Sequence, residues 1–150
     1  MDTRKLPNFY LAGIKIRTSN QHEQAAQDIP KLWQRFMEVD MASQISNKIE
    51  ENIYCVYTDY EGDWQDPYTC FLGCKIADPN DAPEGMEVLS LDASDYLVKR
   101  LEGKMSEDLV GKAWREIWQS DIKRKYTADF ELYSEDFDPE KAKVEIFLAV

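Results

Sequence analysis

Apolar positions recur along the chain with two periods, near two for strands and near 3.6 for helices, and these sort it into elements. Residues 9–18 (FYLAGIKIRT) combine aromatic and β-branched types and predict a strand. Residues 21–39 carry helical spacing at Leu32, Trp33, Phe36 and Met37, the stripe expected to be buried. Pro30 lies within that stretch, where it opens a helix or kinks one, so the polar residues before it belong either to the helix or to a separate turn. Residues 53–61 and 68–77 read as strands joined by the turn-rich GDWQDP at 62–67. A linker with Pro79 and Pro83 covers 78–85, and a short strand follows at 87–91. A strand at 96–102 leads to a helix at 107–119 with the stripe Leu109, Val110, Ala113, Trp114 and Ile117. Strands at 128–134 and 144–150 close the pattern.

The order strand-helix-strand-strand is written twice. Val56-Tyr57-Thr58-Asp59 reappears as Leu132-Tyr133-Ser134-Glu135, and Cys70-Phe71-Leu72-Gly73-Cys74 as Ile146-Phe147-Leu148-Ala149-Val150, both at an offset of 76. Lys31–Phe36 matches Lys112–Ile117 at an offset of 81, and Tyr10-Leu11 matches Tyr96-Leu97 at 86. The offset changes only between elements, where loops absorb length differences. Four matches in one order predict an internal duplication, with repeats at about 8–77 and 86–150 inside a single domain covering 1–150. The expected architecture is α+β: two such units around a pseudo-two-fold axis, with mainly antiparallel sheet and two main helices.

Composition removes several function classes. The 150 residues hold 29 acidic and 18 basic side chains, a net charge of −11 with no sustained basic stripe, so nucleic-acid binding is not expected. No apolar run reaches membrane-span length and no signal peptide is evident, which leads us to expect a cytoplasmic protein without a membrane partner. Cys55, Cys70 and Cys74 are odd in number and without close pairing, and read as free buried thiols. The single His22 lies in a polar stretch, so the usual zinc ligand sets cannot be assembled, and a histidine-based triad would have to use His22 as its base, a residue that reads instead as a solvent-facing helix position. We expect no metal and no cofactor.

Strand alternation then separates faces. Tyr54, Val56, Cys70, Leu72, Cys74, Phe130, Leu132, Ile146 and Leu148 are aliphatic enough to pack under the helices. The alternate positions form a second set, Tyr57, Phe71, Gly73, Glu131, Tyr133, Phe147 and Ala149, which is aromatic, small and acidic. This division places Cys55 and Cys74 on opposite faces. Where the first repeat has Cys55 the second has Glu131, and a carboxylate among aromatic rings suits a lipophilic cation through Coulomb and cation–π attraction. A Glu131 at a wet sheet edge, with the aromatics as plain core, fits the same pattern. Trp114 at helical spacing reads as a core anchor or a ligand contact, and Trp64, in a polar loop, as a lid or a surface-packed side chain.

The run Asp129-Phe130-Glu131-Leu132-Tyr133 resembles the F-E-x-Y signature of the GyrI-like, or AraC effector-binding, domains. The resemblance extends to Ile29–Phe36 in the first helix, Tyr96-Leu97-Val98 followed by Gly103, Ala113–Ile117 in the second helix, and the closing Val144–Leu148. It covers essentially the whole chain. The family fold it implies is the duplicated unit already read, with a ligand groove where the halves meet. It further implies that Glu131 is the buried acid for amphipathic cations, with Phe147, Tyr57 and Tyr133 along the pocket; to these the reading of the residues adds Phe71, Tyr96, Trp64 and Trp114 as further candidates. The regulators of this family carry a helix-turn-helix on the same chain; no residues remain for one here, which suggests a stand-alone member. The segment Ser120–Tyr126 also departs from the usual Ser-Gly-type turn in being basic.

The expected function is therefore small-molecule binding, with a lipophilic or cationic partner. Two alternatives stay open. Some stand-alone relatives hydrolyse reactive electrophiles, in which case Glu131 is the general acid or base and Tyr133 or Tyr57 its hydrogen-bonding helper. Others act on a protein partner such as gyrase through an acidic surface. The sequence leaves open whether the chain is a monomer or a dimer.

Overall fold

The computed structural model describes residues 1–150. Eight strands form one antiparallel sheet: β1 (Asp2–Leu6), β2 (Phe9–Thr18), β3 (Ile53–Thr58), β4 (Tyr68–Ile76), β5 (Glu87–Leu91), β6 (Ser94–Gly103), β7 (Ala128–Tyr133) and β8 (Ala142–Ala149). Their spatial order is β1-β6-β8-β7-β3-β4-β2-β5. Helices α1 (Gln24–Glu38), α2 (Met41–Gln44) and α3 (Leu109–Trp118) complete the chain. The two repeats are β2-α1-β3-β4 and β6-α3-β7-β8, joined edge to edge where β3 pairs with β7. Each outer edge is finished by a strand that leads into the other repeat: β1 pairs with β6, and β5 with β2.

The β3–β7 register sets Cys55 directly opposite Glu131. These positions are equivalent in the two repeats, so they sit on the pseudo-two-fold axis itself. Gln21–Glu23 form a separate 3-10 turn before α1, and Pro30 lies inside the helix. Without an amide hydrogen it cannot bond back to Ala26, and both residues face the cavity described below. Leu32 and Phe36 are buried as the spacing predicts, whereas Met37 is 60% exposed. No helix is long and apolar enough to cross a membrane.

Register also corrects the expected division of faces. Alternation holds within each strand, but β3 and β7 present their second set to the helices while β4 and β8 present their first. Cys55 and Tyr133 thus share the helix-side core with Cys70, Leu72, Cys74, Ile146 and Leu148. The three cysteines lie on one face, with Cys55 Sγ 3.7 Å from Cys70 Sγ as free thiols. Phe71, Phe147, Ala149 and Tyr96 belong to the opposite core, with Tyr54, Val56 and Phe130. Phe9 on β2 and Phe130 on β7 are three strand intervals apart, about 14 Å in a flat sheet. Their ring centroids are 5.9 Å apart, so the sheet curls and its second face closes on its own aromatic rings.

Candidate functional site

A cavity of about 410 Å³ opens on the helix side of the sheet. Ala25, Ala26, Ile29 and Pro30 line it from α1, and Gly111, Trp114, Arg115 and Trp118 from α3. Tyr57 and Tyr68 form the sheet floor, Tyr60 and Trp64 come from the loop after β3, and Arg124 from the segment before β7. The Trp64 and Trp118 rings stack at 4.8 Å and 3°, and Asn20 donates to the Trp64 carbonyl at 2.9 Å, tying that loop to the end of β2. At the rim Arg115 pairs with Asp108 at 2.7 Å, both exposed.

Glu131 lies behind this cavity rather than in its wall. It is 2% exposed, and three donors converge on its carboxylate. The Tyr57 hydroxyl and the Trp114 indole N–H donate to Oε2 at 2.6 and 2.7 Å, and the Tyr133 hydroxyl donates to Oε1 at 2.5 Å. Burial pushes the Glu131 carboxyl above its ordinary range, and the bonds from Tyr133, Tyr57 and Trp114 pull it part of the way back. Burial and the neighbouring Glu131 charge raise both phenols, so Tyr57 and Tyr133 stay neutral donors. No cationic side chain touches Glu131; its partners are dipoles and aromatic rings. Trp114 and Tyr57 pack edge to face at 5.3 Å and 81°, and each presents its surface to the cavity while its polar atom holds the acid.

A second carboxylate is buried two residues earlier on the same strand. Asp129 is fully buried and accepts from Arg124 at 2.6 Å, from the Tyr60 hydroxyl at 2.8 Å and from the Ala149 amide at 2.9 Å. Burial opposes the charge on Arg124, but Asp129 outweighs it and holds the guanidinium protonated. That guanidinium sits 5.8 Å from the Trp114 ring centre and 4.3 Å from that of Tyr126.

The structure brings Glu131, Tyr133, Tyr57 and Trp114 together and places Trp64 on the cavity wall. Phe71, Phe147 and Tyr96 do not join them. The β7–β8 register pairs Phe130 with Phe147 and Glu131 with Ile146, which turns Phe147 away from the acid. Phe147 stacks on Phe130 at 4.5 Å and is covered by the Arg4 guanidinium at 5.3 Å. Phe71 is buried opposite Val56, and Tyr96 packs edge-on against Phe130. Tyr60, Tyr68, Trp118, Arg124 and Asp129 were not anticipated. Asp129 was available from alternation, two residues from Glu131, and Arg124 from the basic segment; the others depend on tertiary packing.

A model of the Cass2 family, integron-associated effector binding proteins, matches residues 4–150. YobU of Bacillus subtilis (strain 168) is 32% identical over 144 residues, covering 93% of this chain and 90% of its own. The Vibrio cholerae integron cassette protein VCH_CASS2 superposes with a TM-score of 0.76 at 26% identity, over 99% of this chain and 94% of that one. The structure of SAV2435 bound to tetraphenylphosphonium superposes with a TM-score of 0.79 at 23% identity, over 99% and 92% of the two chains. Its fold is the same duplicated unit. With the match running through both repeats and across the cavity, the chain belongs to the Cass2 family of effector binding proteins, within the GyrI-like group.

Proposed function

We propose that this protein binds amphipathic aromatic cations in the helix-side cavity, with Glu131 as the charge partner and Tyr57, Trp114 and Trp64 as ring contacts. The observation that carries this reading is a buried carboxylate with no cationic partner, held against an aromatic cavity by neutral donors only. A positive charge seated on the Tyr57 and Trp114 rings is about 6 Å from the carboxylate, where Coulomb attraction at an effective dielectric near 20 supplies about 3 kcal/mol. Cation–π contact adds to this from the same two rings. The complex of SAV2435 with tetraphenylphosphonium supplies the probe, a cation whose four phenyl groups suit a cavity of this size and lining. A hydrolytic role is less well served. The donors that hold Glu131 also stand between it and the cavity, so the carboxylate has no open path to a water or to a reacting atom.

Calorimetric titration of the native protein and Glu131→Gln with tetraphenylphosphonium tests the reading. Gln keeps the shape, its oxygen accepting from Tyr57 and Trp114 while its amide N–H donates to the Tyr133 hydroxyl oxygen, and the expected loss of affinity is about 10- to 100-fold, or roughly 1.4 to 2.8 kcal/mol. Equal affinity in the two proteins removes Glu131 as the charge partner.

A further inference from the structure

We infer that Arg124 is a built-in cation that limits the cavity to ligands carrying one positive charge, and that Asp129 is a second, latent anionic subsite that Arg124 keeps closed. The inference rests on the cation-binding reading of the cavity and adds a rule for ligand charge.

Asp129 and Glu131 are two residues apart on β7, so alternation turns both carboxylates to the helix side, about 7 Å apart along the strand. Both are buried, at 0% and 2% exposure, yet their partners differ in kind. Glu131 has only neutral donors, whereas Asp129 is neutralised by Arg124 at 2.6 Å. The Arg124 side chain is 3% exposed and lines the cavity, facing the same Trp114 ring whose N–H holds Glu131. It therefore occupies, from within the chain, the kind of position a ligand cation takes: over an aromatic ring with a carboxylate behind it.

Its hydrogen bonding shows that the fit is partial. Apart from Asp129, its contacts are to the Tyr60 and Tyr126 hydroxyls at 3.5 Å, and its buried Nε has no partner at all. The segment that carries it is fixed by the Lys125 amide bonding to the Ala149 carbonyl at 2.9 Å. Counted over the cavity, two buried acids and one buried base leave one uncompensated acid. A second ligand charge would meet the guanidinium rather than a free carboxylate.

Methylphenylpyridinium and methyl viologen share a two-ring frame and carry one and two positive charges, which makes them the probe pair. Their affinities are measured by displacement of tetraphenylphosphonium from the native protein, Arg124→Met and the double variant Arg124→Met/Asp129→Asn. In the native protein the second charge is expected to bring no gain. In Arg124→Met the ratio of dication to monocation affinity is expected to rise about 10-fold or more, as an unpaired carboxylate becomes available at close range. It is expected to fall back in the double variant, which keeps a neutral pair and so remains foldable even if an unpaired Asp129 destabilises the single variant. Two results overturn the inference: native protein binding the dication 10-fold or more tighter than the monocation, or a folded Arg124→Met with an unchanged ratio. Failure of tetraphenylphosphonium to bind the native protein is a separate outcome, because it overturns the cation-binding reading of the cavity.

Discussion

Glu131 titrates against three neutral donors, and the sign of its pH dependence follows from that arrangement. Its folded-state pKa is raised by burial, so the folded protein binds the proton more tightly than the unfolded chain does. The stability this contributes is fully present below the ordinary carboxylate range and is lost as pH rises through the raised value. Glu131→Gln is therefore expected to melt at a higher temperature than the native protein at neutral pH, the gap shrinking toward acid; thermal melts across that range check it. Cation binding has the opposite slope, because the ionised form is the one that attracts the ligand, and affinity should climb as pH rises through the Glu131 midpoint. Tyr133→Phe removes the donor to Oε1 and leaves the cavity-facing rings in place. Its midpoint should move to higher pH, visible as a shifted affinity–pH curve with an unchanged alkaline plateau. An unmoved midpoint would show that the Tyr133 bond does not act on the acid. The sequence is informative about Glu131, because its acid replaces a cysteine at an equivalent repeat position, and it offers Tyr57 or Tyr133 as a hydrogen-bonding partner, but it does not show that both donate together with a third group. Trp114 reads from spacing as a core residue, and only tertiary packing shows its N–H spent on the carboxylate.

At the scale of elements, β2 and β5 have the bounds that the pattern predicts, while β1 and α2 were not foreseen. Asp2–Leu6 is polar and short, and it becomes a strand by pairing with β6, far away in sequence. The faces depart from the expected division for a related reason. Alternation fixes which residues of one strand are together, but register between strands decides which sets coincide, and register is a tertiary fact. Chemical likeness put Phe71 and Phe147 with Tyr57 and Tyr133; hydrogen bonding put them on the other face. One pairing is enforced by the sequence in a way that can be tested. Gly13 lies opposite Gly73 across β2 and β4, and a Cβ on Gly13 would come within 2.0 Å of the Leu72 carbonyl oxygen. Backbone cannot yield as a side-chain tip does, so Gly13→Ala is expected to cost about 2 kcal/mol through overpacking. For a domain of this size that lowers the melting temperature by about 5 °C. A melt within one degree or so of native would mean that the strands separate here at little cost.

The duplication explains the shape of the site, and one departure from it, an acid where the other repeat has a thiol, supplies the charge. The axis passes between Cys55 and Glu131, and the residues around it come in related pairs. Tyr57 and Tyr133 are equivalent and both donate to Glu131, one from each repeat. Trp114 packs on Tyr57 at 5.3 Å and 81°, and its counterpart Trp33 packs on Tyr133 at 4.9 Å and 79°. Symmetry is broken by the acid itself, since the equivalent position holds a thiol. A carboxylate moved to residue 55 would therefore remain on the axis, between the same two tyrosines, with Trp33 in place of Trp114. The exchange Cys55→Glu/Glu131→Cys conserves side-chain volume across a directly paired position, which limits overpacking. Glu131→Cys alone is expected to lose tetraphenylphosphonium affinity as Glu131→Gln does, and the exchange should recover about 10-fold of it, or roughly 1.4 kcal/mol. Recovery should be incomplete, because Trp33, the ring that takes the place of Trp114 beside the transferred charge, does not line the open cavity. Calorimetry on the single and double variants measures the difference. If the exchange binds no better than Glu131→Cys, the cation depends on the particular Trp114–Tyr57 cradle and not on a charge held at the axis, and the two halves would then be equivalent in fold but not in electrostatics.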